Sequence, residues 1–307
     1  MGRVLIRDKA RLALLLLLLA ALAQQPLNAL THSLLPDMEQ RPALYYAAVI
    51  VEELLLYGLP AALLLRRARP PRRELLPAQK RRMVVVCVLV GIAAQYLLQA
   101  LSWLWVSLLA LLPGHIAQSA VVMPRSIPEG LLAFGALALT PALAEEALFR
   151  GGVFPCLLKD FSRREAFVLT VSLFALMHGS LVGLPAHFGV SLLATALLVS
   201  YGHLGAAISF HLAYNSMALL YSLIPALRIW ERTSWGVLIV SSLAAVAALA
   251  FWLTRVHERL QGGRPAEANH TVHGLALALT LLLAAAYVPE LLLAAAYVPE
   301  LLTAKSE

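Results

Sequence analysis

Charge is scarce in this chain. Only 13% of its 307 residues are Asp, Glu, Lys or Arg, against 61% hydrophobic residues. Ordinary globular domains carry roughly 25% charged residues, so a water-soluble domain is excluded. Acids are scarcer than bases, 17 against 24, which leaves a net charge of +7. That excess does not point to nucleic acid. The basic residues fall in loops between apolar runs, where cytoplasmic loops of membrane proteins collect them. Cysteine is nearly absent. Cys87 and Cys156 both lie in apolar context, form no metal knuckle or disulfide framework, and read as buried free thiols.

What the chain has instead is long apolar runs, several of which reach the roughly 20 residues that a spanning helix needs. The fold class that follows is all-α, a polytopic membrane helical bundle of about 8–9 spans. The first span runs from about Leu12 to Leu30, behind Arg3, Arg7, Lys9 and Arg11. Ala21-Leu22-Ala23 would also fit a signal-peptide cleavage site, but a retained helix with its N-terminus inside is the favoured reading. Span two runs from about Pro42 to Leu65, and span three from Met83 as far as Leu112. Span three is long enough to require tilt, bending or a partly interfacial course. Span four covers about Leu131 to Leu158, and span five ends near Val182. Span six covers His187 to Tyr201, span seven Gly205 to Ile224 and span eight Gly236 to Leu253, and a ninth apolar stretch starts near Val272.

The loop at 66–82 holds Arg66, Arg67, Arg69, Arg72, Arg73, Lys80, Arg81 and Arg82 around Pro70-Pro71. This block orients the protein by placing its loop in the cytoplasm, and it also suits contact with anionic lipid. Near the C-terminus, LLLAAAYVPE occurs twice in tandem over residues 281–300. A ten-residue unit is too short to span a membrane and is no solenoid module, so it reads as a recent duplication without assigned function. The chain divides into N-terminal membrane helices (1–125), a core (126–225) and C-terminal membrane helices with the repeat (226–307).

The chemistry-bearing residues lie in the core. Glu145 and Glu146 stand side by side inside span four. Carboxylates are costly in a bilayer, so an intramembrane pair is a functional-site candidate by default. Helical neighbours point about 100° apart, which puts these two acids on different faces. Glu146 and Arg150 are i and i+4, the spacing of an intrahelical ion pair. The local geometry therefore divides the labour: Glu146 with Arg150 is structural, and Glu145 is free for proton chemistry. Pro141, four residues before Glu145, is expected to kink the helix.

His178 lies in span five, with Phe174 one turn before it on the same face. His211 and Asn215 share a face of span seven at i, i+4. Each of these taken alone also fits helix–helix packing through hydrogen bonds. Together they suit hydrolysis, with the active site between spans four, five and seven. A carboxylate and a neutral histidine can take a proton from water, while a second histidine and an amide can donate to a developing oxyanion. A zinc variant would use Glu145, His178 and His211 as ligands. No His-Glu-x-x-His helix is present, which argues against the common zinc-protease layout. No Gly-x-Ser-Gly motif lies near Ser180, which argues against a rhomboid-like serine site. No cofactor is favoured.

The three elements read Glu145-Glu146-Ala147-Leu148-Phe149-Arg150, Phe174 to His178 and His211 to Asn215. In this order, on separate helices, they resemble the motifs of the CAAX-processing and bacteriocin-processing (CPBP) family of intramembrane endopeptidases, which includes the prenyl-protein endopeptidases and the bacterial Abi proteins. The resemblance covers roughly Leu131 to Leu220. It implies that Glu145 and His178 activate water and that His211 and Asn215 form an oxyanion hole. Arg150 then holds the site through Glu146, with Phe174 in support. It also implies a membrane-anchored or lipidated protein or peptide as substrate. The Ala, Leu and Arg richness points to the inner (cytoplasmic) membrane of a bacterium. Two rival functions use the same residues: a non-catalytic immunity or scaffold protein on this fold, and a transporter with Glu52 and Glu53 of span two joined to the later acids as a proton or cation path. Oligomeric state is not readable from the sequence.

Overall fold

The computed structural model describes residues 4–37, 40–68, 81–109, 122–228 and 270–285, with single positions at 240, 243, 256, 260 and 261. Every regular element among the described residues is helical. The α-helices are α1 (Val4–Leu34), α2 (Pro42–Glu53), α3 (Leu59–Ala68), α4 (Arg81–Leu109), α5 (Ile127–Phe134) and α6 (Thr140–Leu148). They continue with α7 (Phe154–Leu157), α8 (Arg163–Met177), α9 (Leu184–Tyr201), α10 (Leu204–Leu223) and α11 (His270–Ala285). Wider π-helical turns at Leu54–Gly58, Gly135–Leu139 and Phe149–Val153 join α2 to α3, α5 to α6 and α6 to α7.

Five helical stretches are long and apolar enough to cross a membrane: Lys9–Leu34, Pro42–Arg67, Arg81–Leu109, Ile127–Leu157 and Leu184–Tyr201. The chain is an integral membrane protein built of helices. The fifth, seventh and ninth expected stretches form helices outside that set, the ninth as the 16-residue α11, and for the other two the reason is physical. Helix α8 has only 15 residues, about 22 Å at 1.5 Å per residue. Helix α10 has 20 residues but carries His211, Tyr214, Asn215 and three serines, so its candidate chemistry lowers its apolar character. Span eight, most of the basic loop and the second copy of the repeat lie outside the described residues.

Local sequence explains several boundaries. A capping box starts α8, in which Ser162 Oγ accepts from the Glu165 amide at 3.4 Å and Glu165 Oε2 accepts from the Ser162 amide at 2.8 Å. The helix ends at Met177 rather than near Val182, because Gly179 turns the chain at φ 58°. A left-handed glycine just past a helix is a common stop. His178 is therefore the capping residue of α8 and does not lie within a continuing span.

Each π-turn ends two residues before a proline: Gly58 before Pro60, Leu139 before Pro141, and Val153 before Pro155. A proline ring lacks an amide proton and clashes with the carbonyl four residues back. The wider turn takes up that defect. The irregularity expected at Pro141 is thus a π-turn, and another begins at Phe149, directly after the two acids.

Helix α4 lies along α10 and also touches α9, which in turn packs on α8 and α10. Close approach is fixed at Gly91, where a Cβ would stand 2.5 Å from the Phe210 carbonyl oxygen and 2.9 Å from Ala213 Cβ. Small residues at such crossings let membrane helices pack backbone to backbone. Helix α6 lies against α10 and against the π-turn that follows α2. This arrangement brings the acids of the fourth expected span beside the second and seventh.

Candidate active site

The site grows from α6 and the π-turn after it. Glu145 and Glu146 are 5% and 0% exposed, and Arg150 1%, so these charges are paid for by partners rather than by water. Arg150 spends every arm of its guanidinium. Nη1 donates to Glu146 Oε1 at 3.0 Å, and Nε donates to Thr195 Oγ1 at 3.1 Å. Nη2 donates to both Ser191 O and Ser191 Oγ at 2.8 Å. Its Cζ also lies 4.6 Å from the centre of the Phe174 ring, within cation–π range. One side chain thereby ties α6, α8 and α9 together.

The expected ion pair of Glu146 with Arg150 is present, and Glu146 does more. The same Oε1 lies 2.7 Å from His211 Nδ1. A carboxylate paired with arginine accepts, so Nδ1 is the protonated nitrogen that donates. Glu146 thus fixes the tautomer and orientation of a histidine on another helix, the part usually played by a carboxylate behind a working imidazole.

Glu145 points elsewhere, as its 100° offset requires. Its Oε2 is 3.7 Å from His178 Nε2. His178 Nδ1 lies 2.8 Å from the Phe174 carbonyl oxygen. A carbonyl only accepts, so this nitrogen is assigned as the donor and Nε2 keeps its lone pair toward Glu145. The ring is held on both faces. Phe174 lies 4.7 Å away at 44°, and His187 from the first turn of α9 stacks at 3.9 Å and 24°. Phe174 also stands 6.1 Å from His211 and 5.0 Å from Phe149, which makes it the floor under both histidines.

Asn215 follows His211 by one turn of α10 and is partly buried. The structure therefore brings Glu145 to His178, and Glu146 to Arg150 and His211, with Phe174 beneath. Among the described residues, no three His, Cys, Asp or Glu side chains are grouped to hold a metal ion.

Three further neighbours were not assigned to the site from sequence. His187 carries no motif; the only hint was a histidine at the start of an apolar span. Glu52 and Glu53 enter the sequence reading only through the rival proton or cation path. Glu52 accepts from the Thr31 hydroxyl on α1. Glu53 ends α2, and its buried Oε1 has no hydrogen-bond partner among the described residues. The Glu52 and His187 contacts join separate helices, so no local spacing announces them.

The comparisons with curated proteins and with solved structures found no match. Residues 127–217 match a family model described as Rce1-like, Type II CAAX prenyl endopeptidase Rce1-like. That segment runs from the start of α5 into α10 and contains all three motifs. Over this core, the chain is similar to the CAAX-type endopeptidases that its motifs resemble.

Proposed function

We propose that this chain is an intramembrane endopeptidase that hydrolyses a peptide bond with water held between Glu145 and His178. The observation that carries the reading is the 3.7 Å separation of Glu145 Oε2 and His178 Nε2. That gap is too long for a direct hydrogen bond and suits one water in contact with both groups. Nε2 accepts one hydrogen of the water and orients it. The Glu145 carboxylate takes the other proton as the oxygen attacks the scissile carbonyl carbon. The same proton then passes to the amide nitrogen as the C–N bond breaks, which leaves an acid and an amine.

Negative charge develops on the carbonyl oxygen during attack. His211 and Asn215 supply the donors for it. With Nδ1 already donating to Glu146, His211 donates from Nε2 when the ring carries both protons, and the adjacent Glu146 carboxylate balances that charge. Arg150 pairs with Glu146 and holds the set in place. No step requires a metal ion, so the metal-free mechanism is the one proposed.

The substrate class proposed is a membrane-anchored protein or peptide, cut near a lipidated or sorting-signal tail. The family description names prenyl endopeptidases, and a lipid-bearing tail would lie in the same bilayer as the site. The proposed location is the inner membrane of a bacterium. The test is co-expression of candidate membrane-anchored substrates with wild type and with Glu145→Ala. A size shift that disappears in Glu145→Ala at equal protein level is the expected result. A shift that survives the substitution would overturn the reading.

A further inference from the structure

We propose that Trp105, on the third expected span, is a positioning residue for His178: it holds the turn that carries this histidine and seats His187 beside it. The inference rests on the reading of His178 as the group that orients the attacking water. The turn runs from His178 to Gly183, between the end of α8 and the start of α9. Trp105 Nε1 donates to the Leu181 carbonyl oxygen at 2.9 Å across 76 residues. Indole is a donor only, and a carbonyl turned away from water needs a partner. The Leu184 amide also approaches this oxygen, but at 3.4 Å, beyond the usual range for an amide donor.

Packing supports the same contact. Trp105, Leu176 and Leu184 surround the buried Leu109 and Leu181. One apolar cluster thus joins α4 to the last turn of α8, to the turn itself and to the first residue of α9. Inside the turn the contacts are local. Gly179 reverses the chain at φ 58°, Ser180 Oγ accepts from the Gly183 amide at 3.0 Å, and the Gly183 carbonyl accepts from the His187 amide at 3.0 Å. These bonds shape the turn but do not set its place against another helix. The Trp105 bond does.

The two rings that hold His178 come from either side of the turn. Phe174 stands on α8 at 4.7 Å, and His187 stands on α9 at 3.9 Å. His187 lies so close to the turn that a Cβ on Gly183 would stand 2.6 Å from its Cε1 and 3.1 Å from its Nδ1. A shift of the turn therefore moves both His178 and the ring stacked on it. It also alters the 3.7 Å gap between His178 Nε2 and Glu145 Oε2, where the reacting water is held. A misplacement of about 1 Å at a reacting group costs on the order of 100-fold in rate.

The test uses the full chain in bilayers. Trp105→Phe keeps an apolar ring and removes the donor, and Trp103→Phe is the matched loss of an indole from an exposed position of α4. Magnetic resonance of isotope-labelled histidine reads ring-current shifts at Cε1–H of His178 without any turnover, and His178→Gln assigns the signal. Trp105→Phe is expected to shift that signal and to leave the signal of His211, which Glu146 holds on α10, in place. Trp103→Phe is expected to move neither. On a cleaved substrate, Trp105→Phe is expected to lower kcat by about tenfold with KM little changed, and Trp103→Phe to match wild type. An unmoved His178 signal in Trp105→Phe, or equal kcat in the two variants, overturns the proposal. Gly183→Ala reaches the same rings without touching Trp105, at a backbone φ of −82° that alanine adopts. It is also expected to shift the His178 signal, and an unmoved signal there overturns the proposal too. If the signals behave as expected but wild type cuts no membrane-anchored substrate, the positioning stands and the protease reading falls.

Discussion

Glu146 accepts from His211 Nδ1 at 2.7 Å on the same carboxylate oxygen that Arg150 reaches at 3.0 Å. The acid assigned to structure therefore also orients a histidine of the site. Adjacent acids thus have separable duties, which mutation can resolve. Glu145→Gln is expected to abolish cleavage and leave the thermal midpoint in detergent near that of wild type. Glu146→Ala is expected to lower both. It strands a buried guanidinium, a loss of about 3–5 kcal/mol in comparable buried pairs. Equal midpoints for the two variants would contradict this division.

Arg150→Lys tests whether charge or geometry matters at the hub. The guanidinium donates in three directions, to Glu146, Thr195 and Ser191. A lysine supplies a point charge with no planar fork. It can satisfy Glu146 but not the contacts to α9, and it loses the flat stack on Phe174. The expected outcome is an unfolding midpoint below wild type and little cleavage. Wild-type behaviour in both assays would mean that charge alone suffices.

His187 stacks on His178 at 3.9 Å. Aromatic pairs contribute about 0.5–1.5 kcal/mol beyond the area they bury, so His187→Ala is expected to slow cleavage by no more than about tenfold. His187→Phe keeps a ring in place and is expected to retain most of the rate. If His187→Phe is as slow as His187→Ala, the imidazole itself rather than the stack is what His178 needs.

Chelation separates the two mechanisms that the motif residues permit. The metal-free mechanism predicts unchanged cleavage after dialysis of the reconstituted protein against EDTA. Loss of cleavage that added zinc restores would replace it with the zinc variant.

The sequence by itself determined what depends on neighbours along one helix. Apolar runs of sufficient length specify membrane helices. The i, i+4 spacings specify the Glu146–Arg150 pair, the Phe174–His178 face and the His211–Asn215 face. Prolines 60, 141 and 155 mark where a regular helix must be disturbed. The end of α8 was not read: the span was expected to end near Val182, and the chain turns at Gly179. Hydropathy alone does not register backbone handedness.

Only the tertiary structure decided which faces meet. Glu146 finds His211 at a separation of 65 residues, and Arg150 finds Ser191 at 41. His187 covers His178 from the next helix, and the third expected span meets the seventh at Gly91. Those crossings depend on rotation and depth of each helix against its neighbours, and small shifts along the chain leave the local pattern unchanged. A side chain's own helix tells which way it points; the partner it meets is set by how all the helices pack at once.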